Sequence, residues 1–521
     1  MSEESPANVL FVVLDTVRKD RLGPYGYEPD TTPTLDAFAA NEAVTVFEEA
    51  VAPAPWTLPV HASMFTGMYP SRHGASQETP YLQGATTLAE SCSRAGYATA
   101  CYSENTWITP YTHLTDGFDD HSNFFGVLPD DLLSGPLARA WRTLNDNDAL
   151  RAVADRLVAL GNTAHEYLAS SESADSKTPA VVDRTQSFVT DAERAGDDWF
   201  VFCNLMDAHL PYHPPAEFRE EFAPGVDSDE VCQNSKEYNS GAREIDEEEW
   251  AAIRGLYDAE IAHIDSELGR LFGWLRETGR WEETAVIVCA DHGELHGEHD
   301  LYGHEFALYD PLVNVPLMIK HPQVEGDRRT DTVELIDLYH TVLDTLDVEA
   351  GEPAAPNEES VALDRTRSLL SGERSFADAS DPDPGQAAAP SGEYGFVEYT
   401  RPIVELKQLE QKARAAGIEL DEGSRFYARM RAARRPDGKY VRIDRIPDEA
   451  FRLDEDPDEQ FDRAGADDEV IDRVEDRLTA FEEAAGGAWT DADSVDTEGE
   501  DPLADMDDDA KERLRDLGYV E

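Results

Sequence analysis

Lysine is nearly missing from this chain. Of its 44 basic residues eight are lysine, and they face 109 acidic residues, for a formal net charge of −65. A field of that sign excludes nucleic acid as a partner, because phosphate would be repelled. The acid runs along the whole sequence, so it reads as the surface of a halophilic protein that stays solvated where salt screens its charge. Cysteine is also scarce. Cys92, Cys101, Cys203, Cys232 and Cys289 form no CxxC pair, which leaves no disulfide or zinc framework. Those at 101, 203 and 289 sit in apolar runs and read as small buried hydrophobes. The first residues, MSEESPANVLFVVLD, have no basic leader and no twin arginine, and their apolar run is too short to span a bilayer. A cytoplasmic location without a transmembrane segment is therefore expected. No fixed-period repeat appears.

Present instead are 40% hydrophobic residues in 521, enough for one large domain with a smaller one, or for three ordinary domains. Short continuous apolar runs recur: VLFVVLD ending at Asp15, YATACYSEN ending near Glu104 and Asn105, WFVFCNLMDAH ending at Asp207 and His209, TAVIVCADHGE ending at Asp291 and His292, and VPLMIKHP near residue 320. Runs without alternation predict strands buried on both faces. Helical patterns separate them, in TPTLDAFAANE, TTLAESCSRAG and YDAEIAHIDSELGRLFGWLRETG. The expected fold class is α/β, with helices on both faces of a mainly parallel sheet. Residues 120–197 read as a polar helical insertion, and 219–248 and 351–392 as acidic loops. After residue 393, short strands around Asp-Gly and Asp-Pro turns predict a small antiparallel subdomain, followed by a helix near 468–485 and an acidic tail. The expected organisation is a catalytic domain over 6–350, a linker over 351–392, the subdomain over 393–490 and the tail over 491–521.

In sheets of this kind ligands sit beyond the carboxyl ends of the strands. Asp291 and His292 offer an oxygen and a nitrogen there to one divalent cation. Asp15, His209, His213 and His304 fall at or near other strand ends, and His296 and His299 lie in the intervening loop. The stretch PAPWTLPVHASMFTG places Thr57 at a predicted helix start, between Trp56 and a Leu-Pro that restrict the backbone. Thr57 there is either a helix cap or a group presented to an anion at the helix N-terminus.

Taken together, NVLFVVLDTVRKDRLGPYGY, PWTLPVHASMFTGMYPSRHG, FVFCNLMDAHLPYHPP, ADHGELHGEHDLYGHEFALYDPLVNVPLMIK and FRLDEDPDEQFD resemble the sulfatase branch of the alkaline phosphatase superfamily. The resemblance implies an alkaline phosphatase-like α/β/α sandwich. It implies a divalent metal (Ca, Mg, Mn or Zn) held by Asp15, Thr57, Asp291 and His292. It also implies a nucleophile at Thr57, with His61, His209 and His304 in catalytic positions. The expected activity is hydrolysis of a sulfate ester, or a phosphate ester, on a small molecule or glycan. Four positions depart from the family pattern. Thr57 stands where Cys or Ser is oxidised to formylglycine; Thr would give a ketone, so formylglycine is not expected. His61 replaces an Arg, Thr16 an Asp and Glu104 a Lys. A Thr nucleophile is similar to that of the superfamily's phosphoethanolamine and phosphoglycerol transferases. Phosphodiester hydrolysis or phosphotransfer, and a non-catalytic binding protein for sulfated or phosphorylated glycans, are the alternatives. Oligomeric state is open.

Overall fold

The computed structural model describes residues 8–77, 79–82, 84–123, 176–322, 326–350, 359–371 and 393–485. The tail, most of the 351–392 linker and residues 124–175 of the expected insertion lie outside them. In chain order the strands are β1 (Asn8–Leu14), β2 (Val44–Val51), β3 (Ala98–Ser103), β4 (Asp120–Asn123), β5 (Trp199–Leu205), β6 (Thr284–Cys289), β7 (Leu295–His296), β8 (Tyr302–Gly303), β9 (Asn314–Lys320) and β10 (Arg328–Glu334). Four more follow: β11 (Gly395–Tyr399), β12 (Met430–Arg435), β13 (Gly438–Ile443) and β14 (Glu449–Phe451).

The main sheet has eight strands in the order β10-β2-β9-β6-β1-β5-β3-β4. Every neighbouring pair is parallel except those made by β9, which runs antiparallel to both β2 and β6. All residues of β1, β5, β6 and β9 are buried, as uninterrupted apolar sequence requires when helices cover both faces. The largest of those helices, Glu247–Glu277, is capped by Asp246, whose side chain accepts from Glu249 N–H. All five cysteines are buried and unpaired. Among the described residues, no helix is long and apolar enough to cross a membrane.

Register decides what lies at the sheet's carboxyl edge. Leu14 pairs with Leu205, Val13 with Cys289, and Ser103 with Asn204. Asp15 and Asp291 therefore leave the adjacent strands β1 and β6, and Asn105 follows β3 on the far side of β5, all at one edge. The ten-residue helix Thr57–Thr66 is buried along its whole length, and its first turn faces that edge. Gly67 (φ +69°) closes it, donating to Ser63 O at 2.9 Å.

β11 to β14 form an antiparallel sheet covered by the helix Glu469–Ala484, with Phe396 and Phe481 stacked at 4.3 Å. Three findings differ from expectation. Asp120–Asn123, expected to begin a helical insertion, is β4, the edge strand parallel to β3. Residues 219–248 are not simply loop: Ala216–Phe222 reaches into them and Ser235–Asn239 is a second short helix. The helix Ile403–Ala415 interrupts the small subdomain after β11, because Val404, Leu406 and Leu409 give it a buried face. The two sheets are locked together. Glu398 N–H donates to Pro53 O at 2.9 Å. Fully buried Lys439 bonds Leu308 O and pairs with Asp310, both at 2.9 Å, and also pairs with Glu459.

Candidate functional site

Trp56, in extended conformation (φ −155°, ψ 161°), is the residue flanking the Thr57–Thr66 helix, and no side chain caps the helix. Thr57 is its first helical residue, and its hydroxyl turns away from the backbone. Thr57 Oγ1 lies 3.4 Å from His292 Nε2 and accepts from Asn105 Nδ2 at 3.2 Å. The side chain does not cap the helix, and its hydroxyl proton has His292 Nε2 and the Asp291 carboxyl as acceptors.

Asp15, Asp291 and His292 converge beside it, with one ligand atom of each within 4.8 Å of the others. All three are fully buried. Asn105 and Asn204 donate to Asp15 Oδ2 at 2.8 and 3.0 Å. The backbone N–H groups of His292 and Thr16 donate to Asp291 Oδ1 at 2.9 and 3.3 Å. Thr16 reaches that position with φ +59°, and its hydroxyl is spent on Asp15 O at 2.7 Å. His292 Nδ1 is 3.0 Å from Gly293 O, so Nδ1 carries the proton and Nε2 presents a lone pair. Gly293 is required there, since a Cβ would lie 1.9 Å from Pro311 O.

The remaining oxygens, Asp15 Oδ1 and Asp291 Oδ2, are buried without a hydrogen-bond partner. They lie 4.0 and 3.5 Å from the bare His292 Nε2. Two orphaned carboxylate oxygens, an imidazole lone pair and a hydroxyl facing one point fit a divalent cation. The electrostatics agree. Burial, with the charge of Asp291, lifts Asp15 to about 6. Burial lifts Asp291 to about 7 and lowers His292 to about 4.

His304 and His209 border the group. The His304 ring lies 4.5 Å from that of His292 and 5.3 Å from that of His209. His304 Nδ1 is 3.3 Å from Glu294 Oε1. Glu294 is fully buried, and burial pushes its carboxyl up to about 8. His61 lies beneath Thr57, its Nδ1 2.9 Å from Thr57 O and 3.7 Å from Asp291 Oδ2. Its ring packs edge-on against Phe202 and Phe65. Burial drops it to about 3, so it is neutral and brings no cation where the family pattern has one. Glu104 is buried, and burial together with the Asp207 charge holds it well above the usual carboxylate range.

Three other histidines are not gathered here. His213 donates its backbone N–H to Glu260 Oε1 at 2.6 Å. His296 bonds Tyr212 OH at 3.0 Å. His299 stacks on Tyr309 at 3.6 Å. Asn105, Asn204 and Glu294 are the groups that sequence reasoning passed over. Their signal was a polar residue in or just past a buried strand, which must find a partner.

The sulfatase family matches residues 7–348 of the chain. An uncharacterized sulfatase, YidJ, of Escherichia coli K12 is 27% identical over 385 residues, covering 70% of this chain and 72% of that protein. The crystal structure of a phosphonate monoester hydrolase of Agrobacterium radiobacter superposes with a TM-score of 0.57 at 19% identity, over 92% of this chain and 96% of that one. A structure solved with its substrate, D-glucosamine-2-N,6-O-disulfate, superposes with a TM-score of 0.60 at 15% identity, over 95% and 100% of the two chains. Those two structural likenesses establish the alkaline phosphatase-type fold.

Proposed function

The chain belongs to the sulfatase family of hydrolases, and from that premise we propose that it cleaves a sulfate ester, or a phosphate ester, through the Thr57 hydroxyl. The observation that carries this is the hydroxyl's placement. It lies against His292 Nε2 and takes no part in capping its helix. Asp15, Asp291, His292 and Thr57 would hold a divalent cation. When bound, that cation lowers the pKa of a neighbouring hydroxyl and offsets charge building on the transferred group.

The rest falls to the chain. Asn105 donates to Thr57 Oγ1 and Asp15 together, so it orients the nucleophile toward the carboxylates. As Oγ1 attacks sulfur or phosphorus its proton passes to solvent, the Thr57 ester forms and the bond to the leaving oxygen breaks. His304, beside Glu294, and His209 are held neutral by burial, flank that oxygen and relay to it a proton taken from solvent. Water then attacks the Thr57 ester and returns the hydroxyl. The N-terminus of the Thr57–Thr66 helix favours the anionic group throughout. Threonine in place of an oxidised cysteine or serine supports phosphoryl transfer as the second reading.

Thr57→Ala and Thr57→Ser separate nucleophile from bystander. Alanine is expected to lose at least 10³-fold in turnover, while serine stays within about tenfold of wild type. Mass spectrometry of enzyme quenched during turnover is expected to find 80 Da, roughly one sulfo or phospho group, on the Thr57 peptide. An active Thr57→Ala enzyme would overturn the proposal.

A further inference from the structure

Beyond Thr57 and His304 the site is shut. The gap in front of them has a free volume of about 10 Å³, room for one water molecule. Thr57 is 3% exposed and His304 8%. An ester has to set sulfur or phosphorus against Thr57 Oγ1 with its leaving alcohol beyond. Sites for small molecules offer roughly 300 Å³ or more, so one wall of this gap has to move. Three parts of the wall are fixed. Trp56 leads into the fully buried Thr57–Thr66 helix. Trp107 N–H donates to Asn105 Oδ1 at 2.9 Å. Tyr399 ends β11, and its hydroxyl accepts from Phe306 N–H at 2.9 Å. The fourth part, Glu405, rides on the helix Ile403–Ala415.

That helix is placed to move as a unit. Val404 at its start joins the main core, but Leu406 and Leu409 pack with Phe306 and Tyr427 in a small apolar cluster of their own. Pro402 precedes the helix and Gly417 (φ +73°) follows it, so both ends sit where the chain turns. Polar ties hold it down over the gap. Gln77 Nε2 donates to Glu405 Oε2, Gln77 Oε1 accepts from Val404 N–H at 2.8 Å, and Lys412 pairs with Glu237 at 2.9 Å. Glu237 belongs to the helix Ser235–Asn239, which is anchored to the catalytic loop: Lys236 pairs with Glu305, and Asn239 Nδ2 donates to Tyr302 O at 2.7 Å. Phe306, two residues past His304, holds φ +70°. That conformation is costly for an aromatic residue and persists because the cluster packs it. We propose that the Ile403–Ala415 helix is a lid. It swings off the gap to admit the ester, and on its return it clamps Phe306 and so sets His304 against the leaving oxygen. The proposal rests on the reading of Thr57 as the group that attacks the ester.

The test ties the lid shut in the full chain at one fixed, high salt concentration. Glu237→Cys and Lys412→Cys are combined, and a short bis-maleimide with a cleavable disulfide joins them; the five native cysteines are buried. Turnover of 4-nitrophenyl sulfate and 4-nitrophenyl phosphate is measured before tying, after tying and after reduction of the linker. Tying is expected to cost at least tenfold in turnover and reduction to restore it, while each single-cysteine variant capped with N-ethylmaleimide stays active. Full turnover in the tied enzyme overturns the lid and leaves Thr57's role intact. A second readout needs no substrate. Carbethoxylation of His304 by diethyl pyrocarbonate, followed by peptide mass spectrometry, is expected to slow several-fold on tying and to quicken in Leu409→Ala, which loosens the lid's own cluster. Equal labelling of tied and untied protein overturns the lid. If neither ester turns over even in the untied enzyme, the Thr57 reading fails, and the labelling of His304 then decides the lid by itself.

Discussion

Stripping the proposed divalent cation is expected to destabilise the fold at pH 8 and to matter much less at pH 5. The cause is the pair of buried carboxyls. In the folded chain Asp15 titrates near 6 and Asp291 near 7, against 3.8 for a solvated aspartate. Both values are raised, so the cation-free fold keeps protons that the unfolded chain has already released. Its stability is therefore greatest below about pH 4 and falls as pH rises through 6 and 7. At about 1.36 kcal/mol per pH unit, the loss is about 3 kcal/mol at Asp15 and about 4 kcal/mol at Asp291. Neither side chain is exposed, so solvent does not screen this cost. A bound cation reverses it, more strongly as the ligands deprotonate. At ~2.1 cal/mol/K per residue, a chain this long loses about 1 °C of Tm per kcal/mol. Stripped protein should then melt roughly 5–7 °C below reloaded protein at pH 8, with a clearly smaller gap at pH 5. Tryptophan fluorescence melts in constant molar salt read both gaps. Asp291→Asn is expected to raise the Tm of stripped protein at pH 8 and to remove the response to reloading. Coincident melts of stripped and reloaded wild type at pH 8, or a gap that widens at pH 5, would refute the reasoning.

Glu294→Gln is expected to cost about 10–100-fold in kcat on alkyl esters and distinctly less on aryl esters, whose leaving oxygen needs no proton; equal losses would remove Glu294 from the support of His304. Lys439→Met leaves Asp310 and Glu459 buried without their shared ammonium; destabilisation of about 3–5 kcal/mol is expected in denaturant melts, and an unchanged midpoint would refute the role of this contact between the two sheets. Raising salt from 0.1 to 1 M shortens the Debye length from about 10 to 3 Å. With a net charge of −65 the Tm should climb across that range, and a flat response would contradict the halophilic reading.

The parts of the fold legible in the sequence were those where one physical demand dominates. β1, β3, β5 and β6 are buried on both faces, so their apolar runs were plain, and so were the Asp and His residues that end them. β2 was not legible. Its sequence VTVFEEAV carries Glu48 and Glu49, which break the apolar run and are matched in the structure by Arg328 and Arg434. The reversed direction of β9 left no local mark, because a buried strand is equally apolar either way. The Ile403–Ala415 helix was hidden by its setting among hairpin signals, although VELKQLEQKA has helical spacing.

The same division runs through the site. That Thr57 begins a helix follows from Trp56, Pro59 and the small residues after them. Whether its hydroxyl caps that helix or serves chemistry depends on groups the local sequence cannot see: Asn105, 48 residues away, and His292, 235 residues away. Those two reach Thr57 because β3 and β6 flank the β5–β1 pair and end at the same edge. A helix start is thus a local property of this chain, and a nucleophile is a property of its sheet register. Inserting one residue into β6 would leave the helix Thr57–Thr66 unchanged in sequence and propensity, yet it would turn Asp291 and His292 to the opposite face of the sheet.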